Sequence, residues 1–236
     1  MADTLFQHPS PNFGDRRDGR VPDLIVLHYT AMASAEAALE RLSDPAFEVS
    51  SHYLIGRDGR IWQLVPEEKR AWHAGAGSWL GQGDVNSRSV GIELDNDGKT
   101  PFGEPLMAAL EGLLPDIMDR WSIGVSGVIG HSDIAPARKS DPGRRFDWRR
   151  LARSGLAFWP DVEPASSLEV GGDNWAGFLD ALAASGFPTD PAPDALLEAF
   201  RARFRPHARG PLTQADVLFA LHLANDRALD LKEPLS

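Results

Sequence analysis

The stretch "VIGHSDIAPARKSDPGRRFDW", residues 128–148, sets His131, Lys139, Asp133, Asp141 and Asp147 among prolines and glycines that forbid a long helix. Such a loop is poor material for a core and good material for holding a metal. His131 and Asp141 stand ten residues apart, with Pro136 between them and Pro142 following. The rest of the chain has to supply the missing partners.

Working outward, "DLIVLHYT" (23–30) is a β-branched apolar run after Pro22 and reads as a buried strand ending at His28. "SAEAALERLSD" follows as a helix with Ser34 as its N-cap. "SSHYLIGRDGRIWQLV" reads as a hairpin turned at Asp58-Gly59. "SRSVGIELDNDGK" is a further buried strand, ending near Glu93. Leu106, Leu110, Leu113, Ile117 and Trp121 recur at helical spacing, with a kink or break expected at Pro115. "SGVIGH" is a last short strand ending at His131. Strands and helices alternate, and polar residues collect at strand ends, where sites gather in open sheets. A polar strand end often marks only where the chain leaves the core. Three of them beside the 128–148 loop favour a site.

The chain has 236 residues, 42% of them apolar, enough for a real core. A net charge of −10 argues against nucleic acid as a partner. No run approaches the roughly 18 apolar residues of a membrane span, so no membrane insertion is expected. The first twenty residues lack a signal-peptide core and read as an irregular arm. There is no cysteine, which removes disulfides, thiolate ligands and a lipid anchor through cysteine. The cytoplasm is the expected compartment. Beyond Phe158 the composition shifts. Residues 161–171 read as a linker, and 172–236 as three short amphipathic helices with Trp175, Phe178, Leu182, Leu197, Phe200, Phe204, Leu218 and Leu221 inside.

Without thiolates, a metal in the first 160 residues must take histidine and carboxylate. The candidates are His28, His52, His73 and His131 with Asp133, Asp141, Asp147 and Glu93. A His/His/Asp set suits a catalytic zinc, which brings the pKa of water toward 7. Glu93 is placed to move protons and Lys139 to steady a developing oxyanion. The bland alternatives are a strand-end carboxylate paired with arginine and a solvated lysine. Consecutive His131, Ser132 and Asp133 form no triad, because neighbours on a strand point to opposite faces. "GSWLGQG" lacks the spacing of a nucleotide-binding loop.

Five blocks, "LIVLHYTA", "SSHYLIGRDGRIWQLV", "AWHAGAGSW", "NSRSVGIELDNDG" and "GHSDIAPARKSDPGRRFDW", together resemble the zinc-dependent N-acetylmuramoyl-L-alanine amidases of the type-2 (AmpD/AmiD) family. The resemblance runs in family order over roughly residues 20–155. It implies an α/β fold with a central mixed β-sheet flanked by helices, followed by a small C-terminal three-helix domain. It implies one Zn2+ held by His28, His131 and Asp141, with Glu93 as general base and Lys139 as electrostatic helper. His52, His73 and Arg138 fall in matching blocks as substrate-binding or supporting residues. The implied reaction is hydrolysis of the amide between the muramoyl or anhydro-muramoyl lactyl group and L-alanine of peptidoglycan stem peptides. The partners are then muropeptides or the sacculus. The tail, through "DALLEAFRARFRP" and more loosely "GPLTQAD", resembles the peptidoglycan-binding module fused to some of these amidases. The alternatives are a non-catalytic peptidoglycan receptor on the same scaffold and a zinc peptidase acting within the stem peptide.

Overall fold

The computed structural model describes residues 5–160 and 174–230, so the expected linker lies outside the described residues. In chain order the elements are β1 (Leu5–Gln7), β2 (Phe13–Asp15), β3 (Leu24–Tyr29) and α1 (Ala35–Ser43). Then come β4 (Tyr53–Ile55), β5 (Ile61–Gln63), β6 (Lys69–Ala71), β7 (Ser89–Leu94), α2 (Glu104–Trp121) and β8 (Val128–Gly130). Next are α3 (His131–Ile134), α4 (Trp148–Arg153), α5 (Trp175–Ala184), α6 (Pro193–Phe204) and α7 (Gln214–Asp230).

Six strands form one mixed sheet in the order β1-β5-β4-β7-β3-β8. β4, β7, β3 and β8 run parallel to one another, while β4 and β5 form the antiparallel hairpin turned at Asp58-Gly59. Gly59 has a φ of 86°, the left-handed conformation that a tight turn there requires. Ser34 caps α1, its Oγ accepting from the Ala37 N–H. The fold class is that expected from the sequence.

The N-terminal arm is more regular than expected. β1 pairs parallel with β5 at the sheet edge, and β2 pairs antiparallel with β6. Three-residue strands carry too few residues to show an alternation. α2 is also unbroken: it runs through Pro115. An internal proline costs about 3 kcal/mol. Leu110, Leu113, Leu114 and Ile117 around it are all buried against the sheet. At roughly 1.5–3 kcal/mol per buried apolar side chain, that packing outweighs the lost hydrogen bond. The third difference is at His131, which does not end a strand: it begins the helical turn α3.

Parallel strands are covered on both faces. Ile25 and Leu27 of β3 meet Leu106, Leu110 and Leu114 of α2. The alternate residues Leu24 and Val26 share a core with Trp79, Phe178, Phe200 and Phe204. The C-terminal helices therefore complete the second face of the sheet. Phe178, Leu182, Leu197, Phe200 and Phe204 are buried as expected, but Trp175 and Leu218 are only half-buried and Leu221 is 42% exposed. α7 presents Val217, Ala220 and Leu223 inward instead. It is rotated so that Asp216 can be buried beneath Arg201 and Arg205, at 2.5 Å from each. A reading that keeps charges out of the core chooses the other phase.

A shared core has a measurable consequence. Phe200→Ala, in α6, is expected to cost about 3–5 kcal/mol and to lower one cooperative unfolding transition. A variant whose calorimetric trace splits into two transitions, only the smaller one shifted, would contradict the shared core.

Candidate functional site

The parallel register brings the strand ends together. His28 on β3 lies opposite Glu93 on β7, and Leu27 lies opposite Gly130 on β8, so His131 emerges next to His28. The 128–148 loop then folds back under two constraints. The Ser132 N–H donates to the Asp141 carbonyl at 2.9 Å. A Cβ on Gly130 would stand 2.7 Å from Cδ of Pro142, so only glycine lets the two segments approach this closely. The result is a buried group, His28, His131 and Asp141, whose ligating atoms converge.

The distances define the group. His28 Nδ1 lies 2.9 Å from Asp141 Oδ2, His131 Nδ1 lies 3.1 Å from the same oxygen, and the two Nδ1 atoms are 2.9 Å apart. The outer nitrogens show where the protons are. The Ser89 hydroxyl donates to the Val85 carbonyl at 2.6 Å, so its oxygen accepts from His73 Nε2–H at 3.2 Å. His73 Nδ1 is then left to accept from His28 Nε2–H at 3.0 Å. His131 Nε2–H donates to the Ala74 carbonyl at 2.9 Å. With its proton at Nε2 and the ring neutral, His28 turns a bare Nδ1 toward Asp141 Oδ2, and His131 Nδ1 faces the same oxygen. Burial, reinforced by the adjoining His131, pushes His28 down to about 4 despite Asp141, so it is neutral at pH 7. Three electron-pair donors this close repel one another unless a cation sits among them. Two imidazoles and a carboxylate, with no thiolate, form a donor set that suits a catalytic zinc with a position left open.

Glu93 faces the same cavity, of about 400 Å³, which Trp72, Arg138, Lys139 and Asp141 also line. Its Oε2 is sealed from solvent and has no hydrogen-bond partner among the described residues. Burial, helped by the charge of Asp141 and opposed by Lys139, pushes its carboxyl up to about 8. Lys139 is exposed at the rim. Arg138 donates to the Ala74 carbonyl at 2.8 Å and the Ala76 carbonyl at 2.5 Å, clamping the loop that orients His131.

The other candidates are placed elsewhere. His52 is fully buried beside the His73 ring, where Nδ1 accepts from the Gly91 N–H at 2.9 Å and Nε2–H donates to the Lys69 carbonyl at 3.0 Å. Asp147 caps α4 by accepting from the Arg150 N–H. Asp133 turns away from the cavity to Arg203. His131, Ser132 and Asp133 form no triad, but the reason differs from the one the sequence suggested: they lie on a helical turn, where successive side chains diverge by about 100°. Sequence reasoning missed Ser89 and Gly91. A Cβ on Gly91 would lie 2.5 Å from the His73 ring, so this glycine makes the space in which His73 backs His28. The signal was present as the period-two face Ser89, Gly91, Glu93 on β7.

Comparison with known proteins gives the family. The family model Amidase_2, N-acetylmuramoyl-L-alanine amidase, matches residues 18–144, more than half of the chain. The N-acetylmuramoyl-L-alanine amidase AmiD of Escherichia coli K12 is 37% identical over 211 residues, 78% of this chain and 75% of AmiD. The solved complex of E. coli AmiD with anhydro-N-acetylmuramic acid-L-Ala-D-gamma-Glu-L-Lys superposes with a TM-score of 0.80 at 34% identity, covering 89% of this chain and 91% of that one. AmpDh3 of Pseudomonas aeruginosa, solved with an anhydromuramic pentapeptide, gives a TM-score of 0.76 at 28% identity, covering 93% of this chain and 95% of that one. Among the described residues no helix is long and apolar enough to cross a membrane. With the matched blocks carrying the cavity, the buried donor group and the strand ends that build it, the chain belongs to the N-acetylmuramoyl-L-alanine amidase family.

Proposed function

We propose that the protein is a zinc-dependent amidase that hydrolyses the bond between the lactyl group of muramoyl or anhydro-muramoyl units and L-alanine in peptidoglycan stem peptides, in wall turnover or recycling. The carrying observation is the convergence of one ligand atom each from His28, His131 and Asp141, with Glu93 and Lys139 on the walls of the same cavity. The ligands proposed are His28, His131 and Asp141, and the ion one Zn2+. When bound there, zinc supplies a Lewis acid that makes water a competent nucleophile at neutral pH and polarises the scissile carbonyl.

The protein's own groups do the rest. With a dication bound beside it to oppose the burial that otherwise raises its pKa, Glu93, unpartnered at Oε2, would take the proton of the attacking water and return it to the departing amine of L-alanine. Lys139 stands at the rim, where its ammonium balances the negative charge gathering on the carbonyl oxygen. His73 and Ser89 hold the proton of His28 at Nε2, and the Ala74 carbonyl, braced by Arg138, does the same for His131. His52 acts as a structural residue of the sheet. Residues 1–160 and 172–236 are proposed as the catalytic and wall-binding parts of the chain. The wall-binding role falls to the solvent face of the three helices, since their inner face is spent on the sheet.

His28→Ala and Asp141→Ala are each expected to lose zinc and activity together, with metal content read by mass spectrometry and products identified after incubation with muropeptides, with and without chelator. Full zinc occupancy in both variants would sink the ligand assignment. Products cut within the stem peptide would indicate a peptidase, and peptidoglycan binding without any product a receptor.

Glu93→Ala is expected to keep its zinc and lose about 10²–10⁴-fold in kcat, the usual range for a general base. Lys139→Ala should also keep zinc and lower kcat more than it raises KM. A raised KM at nearly normal kcat would make either residue a binding group.

A further inference from the structure

Arg203 belongs to α6, yet its guanidinium reaches into the footing of the metal loop. Nη1 donates to Asp133 Oδ2 at 2.5 Å, and Nη2 donates to the Val128 carbonyl at 3.1 Å and the Phe158 carbonyl at 3.5 Å. The guanidinium carbon lies 4.0 Å from the centroid of the Trp148 ring. Both charged side chains are 1% exposed. Asp133 Oδ2 also accepts from the Gly130 N–H at 2.9 Å. Gly130 is the residue that joins β8 to His131, and the one whose missing Cβ admits Pro142. A continuous path therefore runs from α6 through Asp133 to the backbone that aims His131.

The chemistry makes this path directional. Oδ1 of Asp133 has no partner among the described residues, so Arg203 is the cation that keeps this carboxylate buried. A buried carboxylate that loses its cation is strongly disfavoured, and it turns toward water when it can. Turning would release the Gly130 N–H and loosen the first turn of α3. We propose that Arg203 is a positioning residue for the metal centre, so that the C-terminal helices are part of the catalytic unit as well as a cover for the sheet. The proposal rests on the reading of His131 as a ligand.

The test uses the full-length protein and compares two buried arginines of the same helix. Arg203 meets Asp133, whereas Arg201 meets Asp216 at 2.5 Å wholly within the C-terminal helices. Zinc affinity is measured by chelator competition, and site geometry by the visible spectrum of the Co2+-substituted protein. Melting temperature, kcat and KM complete the comparison. Arg203→Met is expected to weaken zinc binding about 10-fold or more, the range found when a group supporting a ligand is removed. It should shift the Co2+ bands and lower kcat with KM nearly unchanged. Arg201→Met should lower the melting temperature while leaving zinc affinity and spectrum as in wild type. Arg203→Lys retains the charge but not the guanidinium's fork, and is expected to give a loss of roughly threefold, smaller than that of Arg203→Met. It decides the question alone if Arg203→Met does not fold. Wild-type zinc affinity and spectrum in whichever Arg203 variant folds, or equal losses in Arg201→Met, would overturn the proposal. Zinc retained by His131→Ala would instead retire the ligand reading itself, whatever Arg203 does.

Discussion

Two imidazole nitrogens and a carboxylate oxygen lie within 3.1 Å of one another, with their electron pairs facing inward. Holding them there requires every proton to be kept on the far side of each ring. Ser89, His73 and the Ala74 carbonyl do this through hydrogen bonds that leave one tautomer for each histidine. The energy that maintains this electrostatically unfavourable grouping comes from the surrounding fold. The site depends on a rigid sheet, on close backbone approach and on buried partners at a distance.

Close approach is the recurring device. Gly91 leaves the space occupied by the His73 ring, and Gly130 leaves the space occupied by Pro142. In each case a methyl group would displace something already boxed in by neighbours. Parallel register does the complementary work, since it delivers His28, Glu93 and His131 to one end of the sheet from three distant parts of the chain.

The second face of the sheet carries an unusual share of buried charge. Arg201, Arg203 and Arg227 are each buried, and each is anchored: Arg201 on Asp216, Arg203 on Asp133, and Arg227 on the Ser126 carbonyl with its guanidinium over Trp79. Such groups are tolerated because they are paired, and losing one partner costs more than the pair contributes. Arg203 and Arg227 also make the docking of the C-terminal helices specific, since apolar faces alone slide more readily than polar contacts with fixed geometry.

Local chemistry was readable in the sequence. The apolar run of β3, the Ser34 cap, the Asp58-Gly59 turn and the proline-rich loop announce themselves through propensity and spacing, and the five ordered blocks carry the family. His28, Glu93, His131 and Asp141 were among the candidates as polar residues gathered at strand ends and in a proline-rich loop, and the resemblance singled them out. Other features depend on groups that are neighbours only after folding. The phase of α7 is set by Asp216 meeting two arginines of the preceding helix and its C-cap, a pairing that apolar periodicity does not register. The unbroken α2 depends on leucines packed against strands far away in the chain. The role of Asp133 depends on Arg203, 70 residues onward. Which of the four candidate histidines of the first 160 residues turn a ring nitrogen toward Asp141 was a tertiary matter, because a ring is oriented by whatever its opposite atom touches.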